Sequence, residues 1–454
     1  MLKALRSILK WTGISLLAVM ALYAVLVAIG SIAVWREKAA LKADGRPMQV
    51  EEVIPPEIPD QDNAALVYNA AFKAIQDQPP LKLEGDSAPP AAPTPEVEAP
   101  KKETGMIFLS IEAVAQPPDN MFSQLGRVAR EFKKRPDDPQ AARNFEILLG
   151  DPSVSEFFSS VQRASGMPGY RQNTDYKAGP AAKLPNLSEC LALAQILSVK
   201  AIYDARAGRG ADAWQTVQSL LNLVRALRNE PTLTSQMVRM SQLALANNAI
   251  REVADLSPAD AATVEQVSNQ LEQIDLQSSL VVAYDQERIL GAEWIFKRLL
   301  LGYILPWDRA ASLKTYREMS QDLQKQQYGK AKIDYPDYAK ELPPYCILTR
   351  LMVPAVASAG QRLSFSFSDA EITRLGLAAI RYKQERGAFP PDLRVLGAQD
   401  ILDPFTGQPF VYRLEENGFL LYSVGPDLAD DGGADYDYKK QKGDIVWRYV
   451  EKAG

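Results

Sequence analysis

"SDAEITRLGLAAIRYKQERGAFPPDLRVL", residues 368–396, decides the fold class, because the hydrophobic period changes where it ends. Within it Ile372, Leu375, Ala379 and Tyr382 recur at helical spacing, with Ser368 expected as the N-cap and Gly387 as the stop. Beyond it "PFVYRL" (409–414) and "GFLLYSVG" (418–425) are short and rich in β-formers. They are joined through "EENG", which reads as a hairpin, and "DIVWRYV" (444–450) supplies a third strand. Residues 365–454 therefore form a helix-plus-antiparallel-sheet module, and the chain as a whole is α+β.

Upstream, residues 106–345 carry helical periodicity and are expected to form a mainly α-helical bundle. One helix ends near "RAGRG", where glycine permits a left-handed cap, and a second places Ala213, Val217, Leu220, Leu221 and Val224 on one face. This αα-hairpin, "AIYDARAGRGADAWQTV" (201–217), resembles a tetratricopeptide unit, but no second copy follows at a fixed period. Pro231 opens a helix through about Asp255, Ser257 with Pro258 is expected to start another, and a long helix is expected over 278–302.

Toward the N-terminus, "WTGISLLAVMALYAVLVAIGSIAVW" (11–35) has no charge and exceeds the roughly 20 residues a helix needs to cross a bilayer. Trp11 and Trp35 bracket it, so residues 1–36 read as an uncleaved single-pass anchor. Basic residues lie on both sides; a short tail inside, with the bulk of the chain periplasmic, is the expected topology at an inner (cytoplasmic) membrane. "LLLGYILPW" (299–307) is too short to cross and reads as helix core. A juxtamembrane helix and a docked helix are expected over 37–76, then a Pro/Ala-rich linker at 77–105.

Composition removes whole classes of function. The 454 residues carry 51 Lys and Arg against 56 Asp and Glu, net −5, with no basic excess for nucleic acid. Histidine is absent, which excludes Ser-His-Asp and Cys-His catalysis and the HExxH zinc helix. Cys190 and Cys346 have no CxxC spacing; they read as two buried thiols or as one disulfide.

The ordered pieces "AAIRYKQERGAFPPDL", "LDPFTGQPFVYRL", "GFLLYSVGPD" and "GDIVW" resemble the C-terminal half of the major pseudopilins of type II secretion, over about the last 85 residues. In that family the corresponding loop binds a structural Ca2+. The resemblance implies ligation by the carbonyl of Val424, the side chain of Asp427, the carbonyl near Ala429 and the side chain of Asp444. Two departures stand out: Leu428 replaces a glycine, and Gly443 replaces an acid, leaving a place for Asp430 or Asp431. Asp435 and Asp437 are expected to be solvated beside Lys439, Lys440 and Lys442. The glycines at 425, 432 and 433 allow carbonyls to turn inward, and clustered carboxylates repel without a cation. The other reading of these residues is a solvated acidic turn without metal. The pseudopilin leader and early glutamate have no counterpart in the apolar helix, and the remainder resembles membrane-anchored bacterial proteins of unassigned activity.

These observations lead to the expectation of a non-enzymatic, membrane-anchored envelope protein with a protein partner and a Ca2+-braced module, secretion-related through the resemblance. The alternative is a membrane-tethered hydrolase of envelope polymers using a carboxylate pair, for which Glu371, Glu385 and the loop aspartates are available.

Overall fold

The computed structural model describes residues 2–83, 119–298 and 301–451. Most of the expected linker at 77–105, and the expected start of the helical domain at 106–118, lie outside the described residues. The linker's first residues are docked instead: Leu83 is buried, and the Gln124 amide bonds both the N–H and the carbonyl of Leu81 at 2.8 Å.

Helix α1 (Leu2–Ala43) contains no proline and runs on through Gly13 and Gly30, so the apolar stretch and the polar segment after it form one rod. Its side chains from Trp11 to Trp35 face largely outward, and it is the one helix among the described residues long and apolar enough to cross a membrane. Past Arg36 the same rod becomes a packing helix. Leu41 is fully buried and clusters with Val34, Ala310 and Leu313.

In the helical domain, local capping sets most boundaries. Asn63 opens α2 (Ala64–Gln76), and Asn120, Asp138 and Asp151 open α3 (Met121–Lys134), α4 (Pro139–Leu149) and α5 (Pro152–Ser165). Each cap side chain accepts an otherwise orphaned amide, and proline at the first turn of α4 and α5 loses no hydrogen bond. The expected hairpin is present as α6 (Leu187–Arg206) and α7 (Gly210–Ala226), turning at Gly208 with φ +75°. Helix α8 (Leu233–Leu256) lies across both.

Two expectations shift here. Ser257 closes α8 rather than opening the next helix; α9 (Ala261–Glu272) starts at Asp260, whose carboxylate accepts the Thr263 amide at 2.7 Å. The long helix expected over 278–302 is present as α10 (Leu276–Gln286), a π-helical turn at Glu287–Ala292 and α11 (Glu293–Arg298). A short turn, α12 (Leu301–Ile304), then leads into α13 (Pro306–Lys325), which runs along α1, and α14 (Tyr338–Glu341) follows.

Helix α15 (Ile347–Arg386) passes straight through the expected boundary between 345 and 365. Ser368 is therefore not an N-cap; it lies inside the helix, and its hydroxyl donates to Asp403 at 3.4 Å. The cap comes from another helix: Asp308 on α13 accepts the amides of Leu348 and Thr349 at 2.9 and 3.1 Å. Helix α15 packs on α8, α9, α10 and α13 as well as on the sheet, so the helical domain and the C-terminal module share one core. The sheet has the antiparallel order β1 (Val411–Glu415), β2 (Gly418–Ser423), β3 (Ile445–Val450), with Leu421 opposite both Tyr412 and Trp447. Trp447 lies against Gly376 of α15, where a Cβ would come within 2.1 Å of the indole. Cys190 and Cys346 are buried, unpaired thiols.

Candidate functional site in the C-terminal acidic loop

The acidic loop, residues 424–444, joins β2 to β3 across the edge of this sheet. Asp403, in the turn before β1, fixes where it begins. Its buried carboxylate accepts the Phe405 amide at 3.1 Å and the Ser423 hydroxyl at 2.9 Å, and burial raises its pKa above the usual carboxylate range. Asp403 was not singled out in sequence, although an aspartate before a proline in a tight turn is a usable signal for such a role.

Asp444 fixes where the loop ends. It is fully buried and accepts the amides of Gly433 and Asp431 at 2.7 and 3.4 Å; burial raises its pKa, and the nearby charges of Asp430 and Asp431 add to the rise. The loop must close tightly to bring Gly433 under Asp444. Gly443, at φ +109°, leaves room for the Asp435 carbonyl, which a Cβ there would approach to 2.6 Å.

The structure gathers Asp430, Asp431 and Asp444 at one end of the loop. Asp430 accepts the Tyr422 hydroxyl and the Gly432 amide, both at 2.9 Å, and its pKa is lowered by the Gly432 amide first and Tyr422 second. Asp431 pairs with Lys442 at 3.3 Å through one oxygen; the other is buried with no hydrogen-bond partner. Asp427 sits further along, accepting the amides of Ala429 and Gly443 at 3.2 Å each. Ala429 is exposed, and Val424 is half-buried. Leu428, in the place of the glycine of the resemblance, adopts the left-handed conformation that glycine favours, φ +60°.

Asp437 accepts the amides of Lys439 and Lys440, as a solvated turn does, but Tyr436 and Tyr438 beside it pack on Phe365 of α15 with ring centroids 5.3 and 5.7 Å away. The insertion is therefore anchored at its aromatic residues.

Among the described residues, no three or more acidic or thiol side chains are already spaced as a metal cage. The donor chemistry nevertheless fits a hard cation. The Asp431 oxygen has no partner, and Asp444 is buried beside two further carboxylates, all oxygen donors of the kind Ca2+ takes. Glu371 and Glu385, considered for hydrolysis, are each paired with an arginine one turn away, Arg374 at 2.7 Å and Arg381 at 2.8 Å.

A second feature lies on the hairpin. A polar cleft of about 460 Å³ opens between α4–α5 and α6–α7. At its floor the buried Asp204 receives Lys200 at 2.6 Å and Arg209 at 2.7 Å, while Arg209 covers the Tyr203 ring at 5.2 Å and Lys200 the Phe158 ring at 5.6 Å. Two cations thus share one buried carboxylate at the cleft floor. The "RAGRG" sequence signals a helix stop; the Lys200–Asp204 pair follows from i,i+4 spacing, whereas the Arg209–Asp204 pair forms only once the turn folds back.

The chain matches no family model, no curated protein and no solved structure.

Proposed function

We propose that the chain is a single-pass, non-enzymatic protein of the inner membrane that holds a partner-binding helical domain in the periplasm and braces its C-terminal module with Ca2+. The observation that carries the reading is mechanical: α1 continues unbroken from the apolar span into the domain, where Glu37 and Asp44 engage Arg317 of α13 at 3.1 and 3.6 Å. A domain fixed to its anchor in this way presents its surfaces at a set height and angle from the bilayer. The hairpin cleft supports the choice of a protein partner. The buried Asp444, with Asp430 and Asp431 beside it and Asp427 across the loop, supports the choice of Ca2+, with the carbonyls of Val424 and Ala429 as further ligands. The pseudopilin resemblance supports a secretion-related setting.

Photocrosslinking from a probe at exposed Gln215 on the cleft, in membranes containing the full chain, tests the partner assignment. A discrete adduct that disappears with Arg209→Glu is expected. The same adducts from a probe at exposed Val395 would contradict it.

A further inference from the structure

Besides α1, the chain places a second apolar surface at bilayer depth. The phenol of Tyr23 on α1 donates to the Ile304 carbonyl of α12 at 2.7 Å, and its ring meets Trp307 edge-on with centroids 6.3 Å apart. Seven residues further along α1, Gly30 lies so close to the start of α13 that a Cβ there would be 2.8 Å from Pro306. These contacts fix depth. Every 20-residue window between Trp11 and Trp35 contains Tyr23 and keeps it about 10 Å or more inside its C-terminal end, at roughly 1.5 Å per residue.

Direction follows from the pairs further out. Pro306 meets Gly30, Arg317 meets Glu37 and Gln324 bonds Arg46, so α13 runs outward beside α1 and the α12 corner is its membrane end. The first turn of α15 is held at the same end by Asp308. There the surface exposes large apolar side chains: Ile304 at 50%, Tyr345 at 61%, Ile347 at 68% and Leu351 at 51%. The expectation that residues 299–307 are helix core does not hold at Ile304. Exposed Lys297, Arg298 and Arg350 border this surface, in a position suited to phosphate headgroups.

We infer that the α12 corner and the start of α15 form a monotopic wedge that enters the hydrocarbon of the leaflet from which α1 emerges, making the lipid bilayer itself the occupant of this face. The wedge gives the protein a second hold on the membrane beside α1. It rests on the reading of α1 as a membrane span.

The test uses the full chain in phosphatidylcholine–phosphatidylglycerol vesicles containing lipids with a nitroxide quencher on the acyl chain. An environment-sensitive fluorophore is attached at Ile304→Cys, Ile347→Cys, Leu22→Cys in the span, or Val395→Cys on the far surface; buried Cys190 and Cys346 stay unlabelled in the native protein. Labels at 304 and 347 are expected to be quenched by the lipids about as strongly as at 22, and several-fold more than at 395. Lipid quenching at 22 with iodide quenching at 304 and 347 equal to that at 395 would overturn the wedge alone. Absence of lipid quenching at 22 would overturn the span, and the wedge with it.

Discussion

The guanidinium of Arg251 and the carboxylate of Asp369 meet at 2.6 Å where α8 crosses α15, with 15% and 10% of their side chains exposed. Arg251 also donates to Thr373 at 2.7 Å and to the Val446 carbonyl of β3 at 3.2 Å. One side chain thus ties the helical domain, the long helix and the sheet together. Removing it leaves a largely buried carboxylate with no cation and only the Asn247 amide at 2.7 Å, so Arg251→Ala is expected to cost about 3–5 kcal/mol. Chemical denaturation of the full chain in detergent checks this. The wild type is expected to unfold its helical and C-terminal parts together; separate transitions in the wild type would contradict a shared core.

The junction of α1 and the rest of the domain makes a second prediction. Gly30→Val pushes a branched side chain into Pro306 and the backbone of Trp307, each 2.8 Å from its Cβ, whereas Gly13 has nothing within 4 Å. Overpacking of this kind costs about 1–3 kcal/mol. Gly30→Val is expected to lower the melting temperature while Gly13→Val leaves it unchanged.

Glu287 begins the π-helical turn, half-buried and with no ion-pair or hydrogen-bond partner among the described residues; burial pushes its carboxyl up to about 7. The folded value lies above the unfolded one, so the folded state binds the proton more tightly. The group's stabilising contribution is complete below about pH 4 and is lost as pH rises through about 7, on the order of 3 kcal/mol. Burial raises Asp285, Asp403 and Asp444 in the same direction, so the informative quantity is a difference. Glu287→Gln is expected to be more stable than wild type at pH 8 and to lose that advantage by pH 5. A constant difference at both pH values would contradict the assignment.

Leu428 is exposed and held at φ +60°. A left-handed backbone costs a residue with a Cβ about 1–2 kcal/mol, part of which glycine returns as unfolded-chain entropy. Leu428→Gly is expected to stabilise the protein by up to about 1 kcal/mol in denaturant titration. Destabilisation would mean that the leucine side chain has a packing role.

The parts of the fold legible in the sequence were those with a local cause. The change from helical to alternating period gave the three strands, the uncharged run from Trp11 to Trp35 gave the long apolar stretch of α1, and the glycine turn at 208 gave the hairpin. The start of α15 was not legible because its cap, Asp308, comes from another helix forty residues away in the chain. Ser368 carries the local capping signal, yet it spends its hydroxyl on Asp403 inside a continuous helix. In the acidic loop, the solvated turn at Asp437 beside its lysines was legible. The gathering of Asp430 and Asp431 around Asp444 depends on the left-handed turns at Gly432 and Gly433, and the buried role of Asp403 depends on β2.

Whether the acidic loop takes Ca2+ is tested most directly by thermal melts of the full chain in detergent, with Ca2+ and with chelator. A ligand held only by the folded state at a hundred times its dissociation constant adds about 2.7 kcal/mol, a shift of several degrees. Wild type and Asp435→Ala, whose side chain is exposed, are expected to melt higher with Ca2+; Asp427→Ala and Asp444→Asn are expected to show no difference. Wild-type melts that coincide with and without Ca2+ would contradict the ion brace.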